Sequence, residues 1–508
     1  MSIKLILSLL LAPVTMVFAN DSIDLPFQTE FVNINESANL NAFENNLRPS
    51  YLIAGDESSQ KASIYKVMQE FNIPGVSIAA IHNGRVAWLK SYGYKDNKNK
   101  LPLTTRDLLQ AASISKSFAV LGLLRLATEQ KLDLDANINN YLIGWKIPIN
   151  KFTAESYVTA RMLISHTAGI NVHGFPGIPS SLSGQLPTII DVLNGKKPYV
   201  ETESVNVIQT PGTSMYYSGG GTSILQLAAQ SITNQNFASW MQETVLLPLN
   251  MANSTYQQPL PSKYSNQFSS GHDVYGIPLL GKYHNYPELA AAGLWTTPKD
   301  LAQGLLALIN AYYQESEVIN LNPNLTKNLF IPQPNSKFGL GLELEHHGKV
   351  LVFGHAGDND GFHAIMFAFV SDKPQVRNKR LMDGLVVMTN SDNGMLINQM
   401  LINSFNDTYK IGYNDPKIIE PTKLSKTISK YEVKFVLSDS DFLHSVIVKN
   451  NLLYLDWGQG APLERLYQVD TDHFISLFGN KLNYSWANKQ LKLEYQYFDS
   501  PALKVEIK

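Results

Sequence analysis

The sequence predicts an α+β fold: one antiparallel sheet flanked by helices with an inserted helical subdomain, followed by an all-β domain. Three observations indicate this architecture. Strand-like runs occur early and late within residues 61–410, with helical patterns between them, so both ends of this domain would contribute to one sheet. Short alternating strands fill residues 425–508. The chain has 508 residues, of which 44% are hydrophobic, enough to bury large cores.

The first 19 residues are typical of a secretory signal peptide. Lys4 supplies the positive start, an apolar run follows, and Ala19 precedes Asn20 at a small-residue cleavage site. A membrane anchor is the alternative reading, but the run is short and is interrupted by Pro13. We therefore expect a periplasmic or secreted protein with no transmembrane span in the mature chain.

Composition narrows the possible functions. The net charge is −2 and no long run of one sign occurs, so nothing indicates a nucleic-acid partner. Cysteine is absent, which excludes disulfides, thiolate catalysis and cysteine-based zinc sites. The adjacent His346 and His347 would face opposite sides of a strand and do not indicate a shared metal. We expect no metal and no cofactor, and the oligomeric state stays open.

Local patterns place the elements at the start of the chain. Residues 20–60 have no clear period and are expected to form an irregular lead-in. A helix is expected over residues 62–71, and Pro74 ends it. Two β-rich runs then surround Asn83-Gly84, which is a strong hairpin signal. A long apolar helix begins near Ser113.

The remaining elements follow from the same kind of pattern. Helices separated by loops rich in glycine, proline and serine extend to about residue 313. Consecutive strands come next, and a helix near residues 394–405 closes the domain. Residues 411–424 are expected to be a linker, because they contain Gly412, Pro416 and Pro421. The final 84 residues read as a small barrel.

A serine and a lysine at the start of the long apolar helix are the strongest candidates for chemistry. Ser113 and Lys116 stand three residues apart, which places both side chains on one helix face. The helix dipole favours negative charge on the serine, and apolar neighbours favour the neutral form of the lysine. Because a neutral amine can take the serine's proton, the pair predicts an activated nucleophile.

The same spacing occurs at Ser58–Lys61 and Ser63–Lys66, so the pattern alone is weak evidence. Ser63–Lys66 lies in a polar amphipathic stretch, where a solvated lysine is expected. Ser113 alone is preceded by two alanines and followed by a strongly apolar run, which predicts a buried helix opening into a cleft. Spacing and context by themselves leave both a catalytic and a structural role open.

Five sequence blocks occur in order around this pair. They are Ser113-Ile-Ser-Lys116, Leu163–Ile170, Pro211–Gly219, Ala291–Asp300 and Gly354-His355-Ala-Gly357. Together they resemble the serine β-lactamase and penicillin-binding-protein superfamily, specifically its class C-like hydrolases and esterases. The resemblance extends roughly from Ile64 to Asp407. It implies a β-lactamase/transpeptidase-like fold for residues 61–410 and a mechanism that passes through a serine acyl-enzyme.

The resemblance also implies the roles of the catalytic residues. Ser113 would be the nucleophile and Lys116 its partner. Tyr217 would place its phenol against both, acting as a base in acylation and as an acid toward the leaving group. A half-buried core tyrosine is the ordinary alternative for Tyr217, and the neighbouring Tyr216 is expected to pack.

The third motif would form the opposite wall of the site. His355 would donate a hydrogen bond to substrate or tune Tyr217, and a role limited to positioning its strand is equally open. The resemblance places the oxyanion hole at the backbone N–H groups of Ser113 and Asp358. Gly357 would permit the backbone to approach the substrate closely.

Two departures from the family pattern affect the expected substrate. The third motif often reads Lys-Thr-Gly, whereas here it is His355-Ala-Gly357, so a fixed positive charge for a substrate carboxylate is missing. The tyrosine motif often ends in asparagine, whereas Gly219 stands here and lacks an amide to hold an acylamino group. Both changes favour an esterase, or an amidase or peptidase acting on D-configured peptides, over an efficient β-lactamase.

The sequence therefore supports an exported serine hydrolase acting on a small ester, amide or peptide. The alternative is a non-catalytic protein that retains the fold for cell-wall or partner binding. The C-terminal barrel could bind substrate or a lipid-like ligand, or serve as a structural cap at the rim of the cleft. The acyl group, the leaving group and the fate of β-lactams are not determined by the sequence.

Overall fold

The computed structural model describes residues 25–508, apart from 34, 183, 185, 199, 315–318, 372–379, 423–427, 438–442, 459, 488–489, 498–501 and 504. The expected signal peptide, residues 1–19, lies outside the described residues. Among those that are described, no helix is both long enough and apolar enough to cross a membrane.

Thirteen named strands precede residue 400 in the described chain. They are β1 (Phe27–Val32), β2 (Tyr51–Ile53), β3 (Gly75–His82), β4 (Arg85–Asp96), β5 (Leu101–Pro102), β6 (Leu109–Gln110), β7 (Ile178–Pro179), β8 (His284–Asn285), β9 (Trp295–Thr296), β10 (Glu343–His347), β11 (Val350–Asn359), β12 (Phe362–Ser371) and β13 (Leu381–Thr389). The helices are α1 (Ser37–Asn45), α2 (Ile64–Glu70), α3 (Ile114–Thr128), α4 (Ala160–Ile164), α5 (Ile189–Leu193), α6 (Gly219–Thr233), α7 (Phe237–Met241), α8 (Leu289–Ala292), α9 (Pro298–Tyr312), α10 (Pro323–Asn328) and α11 (Gly394–Tyr409).

One antiparallel sheet joins the two ends of the catalytic domain. Its strand order is β1-β4-β3-β13-β12-β11-β10, and β5 pairs with β4. The central pair, β3 and β13, brings together residues more than 300 positions apart, so the early hairpin and the late strands form a single sheet. This confirms the fold class that the sequence predicts, with the helical subdomain inserted between β4 and β10.

The sheet is covered on both faces. Alternate residues of its strands enter two separate cores, one shared with α3, α6 and α9 and the other with α1, α2 and α11. Because the central strands are buried on both sides, they are almost continuously apolar, and β3 is buried along nearly its whole length. Helix α3 packs against β11, which places the start of α3 beside the third motif.

The lead-in was expected to be irregular, and this expectation is wrong for its described part. Residues of β1 extend the edge of the sheet by pairing with β4 from Phe27↔Tyr92 to Val32↔Trp88. Helix α1 buries Phe43 completely and packs on α11. The segment lacks a sequence signal because its order comes from tertiary pairing with distant elements, which overrides weak local preference.

The linker also contains structure that the sequence did not reveal. Within residues 411–424, β14 (Lys417–Ile419) pairs in parallel with β2, and residues 423 and 424 lie outside the described residues. This two-stranded ribbon ties the lead-in to the segment that enters the C-terminal domain. The residues between the two domains are therefore held in place by hydrogen bonds.

The C-terminal domain is an all-antiparallel, nearly closed sheet of eight strands. They are β15 (Val433–Leu437), β16 (Leu443–Lys449), β17 (Leu452–Asp456), β18 (Glu464–Asp470), β19 (His473–Ser476), β20 (Asn480–Ala487), β21 (Gln490–Tyr497) and β22 (Val505–Ile507). The order runs from β21 through β15 to β22, and a bridge between Tyr495 and Leu503 brings the two edges together. The prediction of an all-β, barrel-like domain is confirmed.

Candidate active site

The nucleophile candidate stands at the entrance to α3. Ser113 immediately precedes the helix, so its hydroxyl lies at the positive end of the helix dipole. Ala112 has φ = 47°, a left-handed conformation that costs energy for a residue with a Cβ. The tight turn is held by the Ala111 N–H, which donates to the Leu294 carbonyl at 2.9 Å. Strain at this position is typical of a residue whose side chain must be presented to a cleft.

Lys116 meets Ser113 one helical turn further on. Its Nζ lies 2.8 Å from Ser113 Oγ and 2.8 Å from the Ala291 carbonyl oxygen. The lysine is only 5% exposed, and burial lowers its pKa from 10.5 to about 7, against an opposing effect of the Asp358 carboxylate. A neutral amine donates to the Ala291 carbonyl while its lone pair accepts the hydroxyl proton of Ser113.

The Ala291–Asp300 block contacts both Lys116 and the start of α3. Ala291 belongs to α8, and its carbonyl orients the lysine amine toward the serine. The block also fixes the start of α3, because the Leu294 N–H donates to Ser115 Oγ at 3.0 Å. From sequence this block is recognised only by its resemblance to the family, because its contact with the lysine forms only in the fold.

Tyr217 lies against both members of the pair. Its ring centroid is 5.1 Å from Lys116 Nζ, and its hydroxyl interacts with the side chain of Ser113. Burial raises the pKa of Tyr217, and the hydrogen bond to Ser113 only partly opposes that rise. The phenol therefore stays protonated near neutral pH. The expected role of Tyr217 as an acid is compatible with this geometry, and its expected role as the base in acylation stays a prediction.

His166 is a site residue that sequence analysis missed. Its ring lies over Tyr217 with centroids 4.3 Å apart, and its Nδ1 accepts a hydrogen bond from the Ser218 N–H at 3.2 Å. Burial keeps the pKa of His166 well below its usual value, so the ring is neutral and can accept. His166 therefore positions the tyrosine. In the sequence, only its place in the Leu163–Ile170 block marks His166. Its contact with Tyr217, 51 residues later in the chain, forms only in the fold.

His355 faces Tyr217 from β11 with ring centroids 6.0 Å apart. Its Nδ1 contacts the Ala356 carbonyl, which can only accept, so Nδ1 carries the proton. Burial lowers the pKa of His355 to about 4, with a further contribution from Lys116, so Nε2 is an unprotonated acceptor. Nε2 is buried without a partner among the described residues. In this tautomer Nε2 can accept from a substrate N–H, and the expectation that His355 binds substrate or tunes Tyr217 stays a prediction.

The backbone of Gly357 presses against the nucleophile. A Cβ at this position would lie 2.3 Å from the Ala111 carbonyl oxygen and 2.9 Å from the Ser113 nitrogen, so only glycine fits. Pairing between β10 and β11 ends at Gly354, which leaves the edge of β11 beyond it without a strand partner. The described chain records no acceptor for the Ser113 N–H, and the following Asp358 N–H belongs to the same exposed edge.

Asp358 lies at this edge of β11, and its side chain is exposed. Its carboxylate is 63% exposed and contacts His363 on β12. The carboxylate is therefore ionised throughout the neutral range.

Gly219 is buried at the first residue of α6. Its N–H donates to the His173 carbonyl at 2.9 Å. A Cβ at Gly219 would lie 3.0 Å from the Phe175 ring and 3.1 Å from the same carbonyl. A side chain at position 219 would therefore press against the 173–175 loop, and a part for Gly219 in substrate binding stays a prediction.

The competing serine–lysine pair at Ser63 has a structural explanation. Ser63 is the N-cap of α2, where its side chain accepts from the Lys66 N–H at 3.4 Å. The geometry thus distinguishes the Ser113 pair, which meets side chain to side chain, from a serine that caps a helix.

These features define a class of protein: a serine-nucleophile site with a lysine base and a tyrosine, at the junction of an antiparallel sheet and a helical subdomain. The chain belongs to the Beta-lactamase family, whose profile matches residues 62–398, more than half of the sequence. The resemblance drawn from the five sequence blocks is confirmed.

Comparisons with individual proteins agree on the family and the fold. Protein flp of Staphylococcus aureus (strain MRSA252) is 25% identical over 336 residues, which cover 64% of this chain and 60% of that protein. The chain therefore spans about three fifths of the length of the protein flp sequences that it matches.

Two solved structures share the fold at low sequence identity. The octameric penicillin-binding protein homologue from Pyrococcus abyssi has a TM-score of 0.59 at 18% identity, covering 88% of this chain and 97% of that one. D-amino acid amidase from Ochrobactrum anthropi SV3, complexed with L-phenylalanine, has a TM-score of 0.52 at 20% identity, covering 73% and 99%.

Proposed function

We propose that this chain is an exported serine hydrolase that cleaves small esters or amides through an acyl-enzyme. The observation that carries the proposal is the 2.8 Å contact between Lys116 Nζ and Ser113 Oγ, made by an amine whose pKa is about 7. Near neutral pH a large fraction of such lysines is uncharged, whereas an ordinary lysine is almost entirely protonated. The nucleophile and its base are thus ready before substrate binds.

The residues account for each proton in the proposed reaction. Ser113 Oγ attacks the carbonyl carbon while its proton passes to Lys116. The N–H groups of Ser113 and Asp358 stabilise the oxyanion that forms. The carbon–nitrogen or carbon–oxygen bond then breaks, and the departing group takes a proton supplied through Tyr217. Water attacks the acyl-enzyme, releases the acid and restores the serine hydroxyl.

Several features support an ester or amide over a β-lactam as substrate. The third motif contributes a neutral histidine, so it offers no fixed charge to a carboxylate. One neighbour in fold is a D-amino acid amidase, whose type of substrate is compatible with this site. The signal-like N-terminus supports the proposal of a periplasmic or secreted location. The intact Ser113, Lys116 and Tyr217 constellation favours catalysis over a non-catalytic binding role.

A fluorophosphonate probe tests the proposal directly. We expect covalent labelling of the wild type, mapped by mass spectrometry to the peptide that contains Ser113, and no labelling of Ser113→Ala. Ser63→Ala is the matched control, because it removes a serine with the same spacing to a lysine that caps a helix instead, and it should label normally. A screen of short-chain esters, D-alanine-ended peptides and nitrocefin then assigns the substrate class. Equal labelling of wild type and Ser113→Ala would refute the proposal.

A further inference from the structure

The charges around Ser113 point to the kind of substrate that fits the site. Among the described residues, Asp358 supplies the one charge recorded as acting on the Lys116 amine. The same carboxylate acts on Tyr217 and on His355, so it lies within electrostatic range of all three groups. Its side chain is 63% exposed, and it directly follows Gly357, whose backbone lies against the Ser113 nitrogen.

No fixed positive charge balances Asp358 on the catalytic side of the described structure. Burial drives Lys116, His166 and His355 toward their neutral forms. Lys337 acts on His166, but this lysine forms an ion pair with Glu343. A substrate carboxylate placed beside the scissile bond would therefore meet a negative charge without compensation.

His363 does not cancel the negative charge of Asp358. Its pKa is raised by Asp358 and also by Asp392, after an opposing effect of burial. One protonated histidine thus faces the charges of two carboxylates and can neutralise only one of them. His363, Asp358 and Asp392 together therefore retain a net negative charge.

His355 adds an acceptor on the other side of β11. Its ring is 4% exposed and lies on the Tyr217 side, and Nε2 has no partner among the described residues. An unprotonated nitrogen accepts from an N–H group and repels a carboxylate. This acceptor lies on the opposite face of β11 from Asp358, so it disfavours a carboxylate on the Tyr217 side independently of Asp358.

We propose that Asp358 is a specificity-determining residue that selects substrates with a cationic group, such as a free amine, close to the scissile bond and disfavours those with a carboxylate there. The inference rests on the proposed hydrolase function, because the charge matters only if Ser113 reacts. A structural alternative, in which Asp358 only braces β12 through His363, makes a different prediction.

Three arylsulfonyl fluorides with one reactive group and different charges separate these alternatives. They are 4-(2-aminoethyl)benzenesulfonyl fluoride, which is cationic, the neutral toluenesulfonyl fluoride, and the anionic 4-(fluorosulfonyl)benzoate. The second-order rate of Ser113 modification is measured at about pH 8, where Lys116 is mostly neutral. We expect the cationic reagent to react about tenfold faster than the anionic one in the wild type, after correction for their intrinsic reactivities.

Substitution assigns the preference to one carboxylate. Asp358→Asn should bring the cation-to-anion ratio close to one, and Asp358→Lys should reverse it. Asp360→Asn is the matched control, because Asp360 is 52% exposed on the same turn and pairs with His284. It should keep the wild-type ratio. The ratio is the decisive readout, since a loss of structural bracing would slow all three reagents together.

The outcomes distinguish the inference from the function on which it rests. A ratio unchanged in Asp358→Asn, with Ser113 still modified, would overturn the specificity role and leave the hydrolase intact. A cation-to-anion ratio of one in the wild type would also overturn the specificity role and leave the hydrolase intact. Failure of every reagent to modify Ser113 would overturn the proposed function, and the inference would fall with it.

Discussion

Ser113–Lys116 differs from Ser63–Lys66 chiefly in the surroundings of the lysine amine. Lys116 is 5% exposed and its Nζ contacts the serine, whereas Lys66 is half-buried and only its backbone N–H meets Ser63. The apolar run after Ser113 reveals this burial, which explains why the pair could be selected from sequence. The Ala291 carbonyl and the ring of His166 could not be assigned, because each reaches the site through a long-range contact.

Tyr217 carries the next prediction at the residue scale. Removing its hydroxyl in Tyr217→Phe removes the proton donor to the leaving group but preserves the ring that packs on His166. We expect kcat to fall about 10²–10⁴-fold, in the usual range for loss of general acid–base catalysis. Steady-state kinetics on the best ester or amide from the screen measures the effect. Tyr216→Phe, at a position 40% exposed, is the control and should retain wild-type turnover. Undiminished kcat in Tyr217→Phe would remove the tyrosine from the mechanism.

At the scale of elements, the lead-in is part of the catalytic domain because buried polar contacts hold it there. Arg48 is fully buried and binds Asp407 of α11 through two nitrogens, at 2.6 and 2.8 Å. It also donates to the Asn414 carbonyl at 2.7 Å, which connects the lead-in with the linker. Sequence patterns predicted α3, the β3–β4 hairpin and the C-terminal strands, whose periodicity is local. They missed β1, α1 and β14, which depend on distant partners.

Arg48→Ala tests this anchoring. The substitution removes the guanidinium bonds to the Asp407 carboxylate and the Asn414 carbonyl and leaves the Asn406 amide as a donor to both, so we expect the free energy of unfolding to fall by about 3–5 kcal/mol. Urea denaturation followed by circular dichroism measures the change. Arg106→Ala is the control, since Arg106 is 75% exposed and lies 3.9 Å from Glu30; it should change stability by less than about 0.5 kcal/mol. Equal stabilities of the two variants would show that the lead-in is not anchored by Arg48.

For the whole molecule, the barrel and the catalytic domain share a small apolar cluster. Tyr51 of β2 and Ile419 of β14 pack with Ile475 and Leu477 of the barrel. The Tyr51 N–H also donates to the Leu477 carbonyl at 3.1 Å. This cluster lies at the ribbon that joins the lead-in to the linker. A structural cap is thus the role of the barrel that these contacts support.

Leu477→Ala tests the coupling between the domains. The side chain is 7% exposed, and its truncation should cost about 2–5 kcal/mol through lost burial and the cavity left behind. Because the cluster belongs to both domains, scanning calorimetry should show the unfolding of the catalytic domain shifting together with that of the barrel. Val469→Ala, at a barrel position 38% exposed, should leave both unchanged. A shift confined to the barrel would contradict the coupling.

The measurement closest to the central claim is the pH dependence of Ser113 labelling by the fluorophosphonate probe. Lys116 accepts the serine proton only when it is neutral, so the rate should rise with pH through a midpoint near the lysine pKa of about 7 and then level off. Lys116→Arg, whose side chain stays charged, should abolish the rise. A rate that does not change between about pH 5 and 9, or a midpoint near the ordinary lysine value of 10.5, would contradict an uncharged Lys116 as the base.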